Sequence, residues 1–187
     1  ARTKAVNAAP VIGPVNQTMG TTFQVVTNLP YANASSYNQV SQGPTQLDFE
    51  ASATPGAVIA SVPTTLAPGT DATVFVTGLP GAQQAFVLQD SNLPPFGGNV
   101  RLRFVNTAWD ANPVNVAMNG TTIASNVAYP TASAYVETAT ATVTFCAPPG
   151  LTVNLDGEND TPGTDGVVTA TVPENPPRPV AGWTTVP

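Results

Sequence analysis

The feature that most constrains this chain is an internal repeat, in which the segment beginning at residue 2 recurs 99 positions later. Residues 2–19 match residues 101–118 without a gap, and after a short deletion the match continues at 98 positions. The matched pairs are Arg2 and Arg101, Lys4 and Arg103, Val6 and Val105, Asn7 and Asn106, Pro14 and Pro113, Val15 and Val114, Asn16 and Asn115, Met19 and Met118, Asn28 and Asn126, Tyr31 and Tyr129, Ser35 and Ser133, and Tyr37 and Tyr135. A repeat of this length is too long for a solenoid unit and has the size of a complete small β-domain. The sequence therefore predicts two similar domains.

The domain boundary is predicted where Pro and Gly cluster between two apolar segments. The stretch LPPFGG at 93–98 has the composition of a short linker. We therefore expect a first β-sandwich repeat at 1–93, a Pro/Gly linker at 94–99, a second β-sandwich repeat at 100–172, and a Pro-rich tail with a terminal candidate strand at 173–187.

Alternation of apolar and polar residues indicates strands in both repeats. Residues 100–104 place Leu102 and Phe104 on one face and Arg101 and Arg103 on the other. Further strands are predicted at 73–77, 84–89, 114–118, 121–125 and 139–146, with a hairpin turn at Asn119-Gly120. Only 9% of the residues are charged, so the Lys and Glu that favour helices are scarce. We predict an all-β fold of two tandem immunoglobulin-like antiparallel β-sandwich domains.

The opening of the second repeat resembles a known family. Residues 101–120 read RLRFVNTAWDANPVNVAMNG, which is similar to the pattern RxRxVNASPDAPxVDVYVNG of the bacterial domain-of-unknown-function family 4397. The first repeat follows this pattern more loosely. The resemblance implies an exported, often cell-surface, immunoglobulin-like repeat without catalytic residues. The sequence departs from the pattern at Asn115, where the family has Asp, and at Trp109, where it has Pro.

The residue inventory excludes several classes of function. The chain has no histidine, which removes a histidine general base, a Ser-His-Asp triad and the usual zinc chemistry. A net charge of −6 disfavours a nucleic-acid partner, and no apolar run approaches the roughly 20 residues of a membrane span. Cys146 is the single cysteine, so no disulfide forms within the chain. We predict no enzymatic activity, no catalytic residues and no cofactor.

An acidic loop follows the middle of the second repeat. It contains Asp156, Glu158, Asp160 and Asp165, and carboxylate oxygens are the ligands that Ca²⁺ prefers. The spacing departs from an EF-hand, because Thr161 stands where that loop needs Gly. The loop is interpreted first as a solvated segment, with a partner contact and a weak calcium site as alternatives.

Four of the five basic residues lie on the first strand of each repeat, at predicted outward positions: Arg2, Lys4, Arg101 and Arg103. Charges on an edge strand discourage unwanted strand pairing. Alternatively, this positive strip meets an acidic loop on a neighbouring molecule. Under that alternative Arg2 and Lys4 are candidate subunit contacts.

The aromatic residues allow a second kind of partner. Trp109, Tyr129, Tyr135 and Trp183 are candidates for a sugar-stacking platform, although aromatic residues more often serve as core packing. A carbohydrate-binding or adhesive surface module is therefore the alternative function, with surface glycans as partners.

The tail distinguishes the two repeats. Prolines interrupt residues 173–179, and a candidate strand, VAGWTTV, follows at 180–186. It either closes its own second domain or adds to a sheet of another copy, with Trp183, Thr185 and Val186 as subunit contacts. The leading hypothesis is a non-enzymatic extracellular or cell-surface structural protein, exported with its signal peptide removed. In this hypothesis the protein self-associates into a filament or matrix by β-strand complementation.

Overall fold

A computed structural model describes residues 1–20, 23–91, 93–96, 99–118, 121–139, 145–146, 151–156 and 166–168. The chain divides into two compact units, Ala1–Asn92 and Leu93–Pro187. The described residues form strands, turns and irregular segments, and none of them is helical. The all-β prediction is thereby confirmed. No helix among these residues has the length and apolar character needed to cross a bilayer.

The described residues of the first unit form nine strands. They are β1 (Arg2–Ala8), β2 (Val15–Met19), β3 (Phe23–Leu29), β4 (Asn33–Ala34), β5 (Asn38–Gln39), β6 (Gly43–Ala51), β7 (Val58–Leu66), β8 (Asp71–Thr77) and β9 (Gln84–Gln89). Sheet I has the order β4-β1-β8-β9, with β5 also paired to β1, and sheet II has the order β3-β2-β6-β7. The β1–β8 pairing is parallel, and the other pairings in these two sheets are antiparallel.

The two sheets of the first unit share one apolar core. Sheet I contributes Ala5, Val74 and Val76, and sheet II contributes Leu47 and Phe49, all of which are buried. Removing such side chains from water is the main favourable term in folding. The alternation in β8 thus directs every second residue into the space between the sheets.

The described part of the second unit contains seven strands. They are β10 (Asn99–Asn106), β11 (Val114–Met118), β12 (Thr121–Val127), β13 (Val136–Ala139), β14 (Phe145–Cys146), β15 (Leu151–Asp156) and β16 (Gly166–Val168). One sheet has the order β13-β10-β15-β16 and the other β12-β11-β14. Leu102 and Phe104 are buried, as their alternation predicts.

The strands predicted at 73–77, 84–89 and 114–118 lie in β8, β9 and β11. The hairpin strands β11 and β12 pair antiparallel, and Asn119-Gly120 between them lies outside the described residues. The predicted strand at 139–146 is represented by the end of β13 and by β14; residues 140–144 lie outside the described part.

The opening hairpins of the two units share an unusual pairing. The β2–β3 register is interrupted between Val15 and Gln17 and again between Gln17 and Thr18. The β11–β12 register is interrupted at the matching places, on either side of Val116. Bulges re-aim side chains and increase local twist. The sequence repeat therefore corresponds to a repeat of local backbone geometry.

The units differ in the partner of their first strand. β1 lies between β8, which is parallel to it, and the short strands β4 and β5. β10 lies between β13 and β15, and both of these pairings are antiparallel. The first strand is an interior strand in both units.

Candidate functional site

Two positive side chains of β1 enclose a tyrosine. Arg2 and Lys4 are two residues apart and therefore lie on one face of the strand. The Arg2 guanidinium carbon lies 5.2 Å from the centroid of the Tyr37 ring, and Lys4 Nζ lies 4.8 Å from it. Cations within about 6 Å of a ring face are attracted by its quadrupole. The pair thus fixes Tyr37, which follows β4 in the chain, against sheet I.

Two carboxylates complete this cluster. Arg2 Nε donates to Asp71 Oδ1 at 2.8 Å, and its Nη2 donates to Asp71 Oδ2, so that the pair is bidentate. Asp90 Oδ2 accepts hydrogen bonds from the Tyr37 hydroxyl and from Thr73 Oγ1, each at 2.7 Å. The parallel register explains the first contact, because it places Arg2 beside Asp71. These bonds tie the start of β8 and the exit from β9 to one tyrosine.

The second unit repeats the arrangement around its own tyrosine. The guanidinium carbons of Arg101 and Arg103 each lie 4.7 Å from the centroid of Tyr135. Arg101 Nε also lies 3.4 Å from Glu137 Oε1. A tyrosine enclosed by two cations is therefore a feature of both units.

The structure corrects the expectation that all four basic side chains point outward on an edge strand. Lys4 and Arg103 are buried, and about half of the Arg2 side chain remains exposed. The first strand has a neighbour on each side, and the tyrosine covers its charged face. Edge protection is therefore wrong for these residues. Lys4 is also too deeply buried to serve as a subunit contact from the folded unit.

The tyrosine clusters were not predicted, although a signal was present. Tyr37 and Tyr135 recur at matching positions in the sequence repeat, as do the basic pairs. Three positions that recur together predict a shared contact as readily as a shared surface. With two cations against each tyrosine ring, each cluster is suited to holding the fold together.

Asn115, where the sequence departs from the family pattern, has a structural role. Its Oδ1 accepts a hydrogen bond from the Asn126 backbone N–H at 2.8 Å, and Asn16 Oδ1 accepts from Asn28 N–H at the same distance. Asn28 and Asn126 both have positive φ, at 51° and 55°. A carboxylate oxygen accepts the same bond, so the Asp of the family pattern could make this contact.

The sugar-platform candidates are not equally placed. Trp109 is 45% exposed in the loop between β10 and β11, whereas Tyr129 is half-buried and Tyr135 is held between two guanidinium groups. Trp183 lies outside the described residues. Trp109 is thus the one of these four that the structure describes as an exposed ring.

The calcium candidates and the tail contacts fall largely beyond the described part of the chain. Glu158, Asp160, Asp165, Thr185 and Val186 lie outside it, and the backbone of Asp156 ends β15. Among the residues that the structure describes, no group of three or more Cys, Asp or Glu side chains is arranged to hold a metal ion.

Strand β9 presents an open sheet edge. It pairs with β8 through six consecutive residue pairs without a register shift, and within the described residues β8 is its single ladder partner. Its sequence, QAFVLQ, contains neither charge nor proline. Ala85, Phe86, Val87 and Leu88 are each half-buried. We call this strand the open edge.

The other edges of the first unit are protected. β7 carries the exposed Pro63, which has no N–H to offer to a further strand. β3 has two interruptions in its register, and β4 and β5 contain two residues each. Bulges, prolines and short strands are the usual means of preventing edge-to-edge association. The open edge carries none of these.

Comparison with known proteins identifies a family for this chain. A search of curated proteins gave no match. A family model described as a domain of unknown function (DUF4397) matches residues 1–117. The matched region covers the whole of the first unit and continues through β10 into β11. The resemblance drawn from residues 101–120 is confirmed at the level of the family, and this chain belongs to the DUF4397 family.

Proposed function

We propose that this protein is a non-enzymatic structural protein of the cell surface or extracellular space, and that it is the subunit of a filament assembled by β-strand complementation. The observation that carries the proposal is the open edge. An uncharged, proline-free edge strand offers a row of backbone donors and acceptors to a further strand. The other sheet edges described in the same unit are protected. The unprotected edge of β9 is therefore the surface that we assign to binding a further strand.

The antiparallel alternation of β8 and β9 identifies the backbone groups that an incoming strand would meet. Asp90 N–H donates to Asp71 O at 2.9 Å, so residues 71 and 90 form a hydrogen-bonded pair. Hydrogen-bonded pairs recur at every second position, which places Phe86 and Leu88 in bonds to β8. The N–H and C=O groups of Ala85 and Val87 then point away from β8.

The proposed contact joins different parts of two copies. The acceptor lies in the first unit, and the candidate donor at 180–186 follows the second repeat in the sequence. A contact between two unlike surfaces is heterologous, and unless its rotation closes a ring it propagates as an open polymer. A filament follows when each copy donates to a new neighbour, whereas reciprocal exchange between two copies would close the assembly as a dimer.

The composition and the fold support an exported repeat protein. The two sheets around one core in the first unit, and the hairpin geometry repeated in the second, support immunoglobulin-like sandwich repeats. Such modules commonly serve as surface building blocks. Exposed Trp109 favours a second candidate, a carbohydrate-binding or adhesive module.

Electron microscopy and sedimentation of the purified protein test the proposal. We expect filaments that lengthen with protein concentration, and a folded monomer when residues 182–187 are deleted. A wild-type protein that stays monomeric at all concentrations would reject the filament. A wild-type protein that is monomeric and binds to a glycan array, together with loss of this binding in Trp109→Ala, would instead establish the second candidate.

A further inference from the structure

We infer that residues 180–186 of one copy pair with the open edge of the next copy, and that Trp183 lies beside Phe86 there and extends an aromatic stack. This inference rests on the proposed function and adds to it the central side-chain contact and the requirements of the two faces of the open edge.

The acceptor carries an incomplete aromatic stack on one face. Phe75 and Phe86 are register partners across β8 and β9, and their rings stack with centroids 4.9 Å apart and planes 6° from parallel. Phe75 is fully buried, whereas Phe86, on the edge strand, is half-buried. A strand added to β9 would bring its own side chains beside Phe86. An aromatic side chain there continues the stack and covers the exposed part of the ring.

The opposite face of the open edge has a different requirement. Ala85 and Val87 are partly buried against the core between the sheets. On this side β7, the edge of sheet II, lies close to β9 without sharing ladder hydrogen bonds with it. Side chains that an added strand places on this face meet limited space, so small or β-branched residues fit best.

The sequence at 180–186 satisfies both requirements. In an extended VAGWTTV segment, Trp183 shares a face with Ala181 and Thr185, while Gly182 and Thr184 lie on the other face. The bulky ring can therefore meet Phe86 while small residues meet Ala85 and Val87. The segment is uncharged, like the open edge, and its seven residues span the six of β9.

The residues before the donor suit a tether. Four of residues 173–179 are prolines, which cannot supply ladder donors and favour an extended polyproline conformation. Seven residues at about 3.1 Å each reach roughly 22 Å. A spacer of this length would give the donor the reach to pair with a second copy.

Paired substitutions at the open edge test the acceptor. Val87→Pro and Val87→Ala remove similar side-chain packing, but only the proline removes the N–H that points away from β8. We expect Val87→Ala to form filaments and Val87→Pro to lose them while keeping a β-rich circular dichroism spectrum. Equal filament formation by the two folded variants would overturn the assignment of β9 as acceptor and leave the filament itself standing.

Substitutions at Trp183 test the donor contact. Trp183→Phe keeps an aromatic ring, and we expect its critical concentration for assembly to stay within about threefold of wild type. Trp183→Ala loses the stack, and we expect an increase of about tenfold or more. If Trp183→Ala assembles as readily as Trp183→Phe, the aromatic contact is wrong.

A binding measurement covers the case in which Val87→Pro does not fold. A fluorescein-labelled peptide of residues 180–186 should bind the variant that lacks residues 182–187, and unlabelled peptide should slow assembly of the wild type. A peptide that fails to bind the deletion variant overturns the inference. The peptide could also bind the deletion variant but not a wild type that is monomeric. In that case residues 180–186 of the wild type would occupy the site within their own chain, and the inference would again be overturned.

Discussion

At the scale of single residues, Gln17 is the least expected feature of the first unit. It is fully buried on β2, and neither its Nε2 nor its Oε1 has a hydrogen-bond partner. The matching residue of the second unit, Val116, is buried and apolar. A buried amide without partners costs about 1–3 kcal/mol. The first unit therefore carries a destabilising group that is absent from the matching position of the second unit.

Replacing Gln17 with leucine should stabilise the first unit. Leucine has a similar volume and no polar atoms, so we expect the free energy of unfolding to rise by about 1–3 kcal/mol. The midpoint of the thermal transition assigned to this unit should rise by at least about 4 °C, as measured by differential scanning calorimetry.

The second unit supplies the reciprocal control for this substitution. Val116→Gln places the same amide in an apolar position and should lower the stability of that unit by a similar amount. A Gln17→Leu variant that melts at a lower temperature than wild type would show that the amide is satisfied inside the folded unit, for example by a buried water.

At the scale of strands, the protected edge β7 differs from the open edge β9 in containing a proline. Proline in a sheet is tolerated where its nitrogen faces away from the neighbouring strand, and Pro63 stands opposite Gln46 of β6. Pro63→Val restores an N–H and adds a β-branched side chain. The variant should therefore have a second edge that accepts strands.

We expect Pro63→Val to aggregate faster than wild type and to give branched or irregular assemblies, as seen by light scattering and electron microscopy. Pro80→Val is the matched control, because Pro80 is exposed in the turn between β8 and β9 and belongs to no ladder. Similar aggregation by both variants would show that β7 is protected by something other than its proline.

The same strands mark the limit of what the sequence predicts. Alternation located the buried Leu102 and Phe104, because that strand follows a two-residue period, whereas β8 was located by its β-branched residues. It failed for Lys4, since β1 is buried along both faces from Thr3 onward and β8 along its whole length. A strand covered on both faces gives no outward position for a charge, and periodicity cannot reveal this.

The sequence also did not predict which strands pair with each other. The parallel pairing of β1 with β8 joins residues 69 positions apart. No pattern in the sequence of either strand identifies the other as its partner. The bidentate Arg2–Asp71 pair depends on that register. The open edge was likewise invisible, because an edge is defined by which strands are neighbours. The residues of both clusters recur at matching positions in the repeat, but only the fold brings Tyr37 and Tyr135 beside their cations.

At the scale of the whole molecule, net charge decides how two copies approach each other. The chain carries a formal charge of −6, so copies repel at low ionic strength. The proposed contact joins two uncharged strands, and salt weakens the repulsion without weakening backbone hydrogen bonds. The Debye length falls from about 30 Å at 0.01 M to about 8 Å at 0.15 M salt.

Assembly through the open edge should therefore accelerate when NaCl is raised from about 10 to about 150 mM, as followed by light scattering at constant pH. An electrostatic contact between half-exposed Arg2 and an acidic loop of a neighbour predicts the opposite, because screening would weaken the attraction that brings the copies together. The Arg2→Gln variant separates the two mechanisms further. Under strand complementation, its assembly should still accelerate as the NaCl concentration is raised. If assembly slows as salt is raised, and if the Arg2→Gln variant loses this salt dependence, then the contact involves the positive strip and not the open edge.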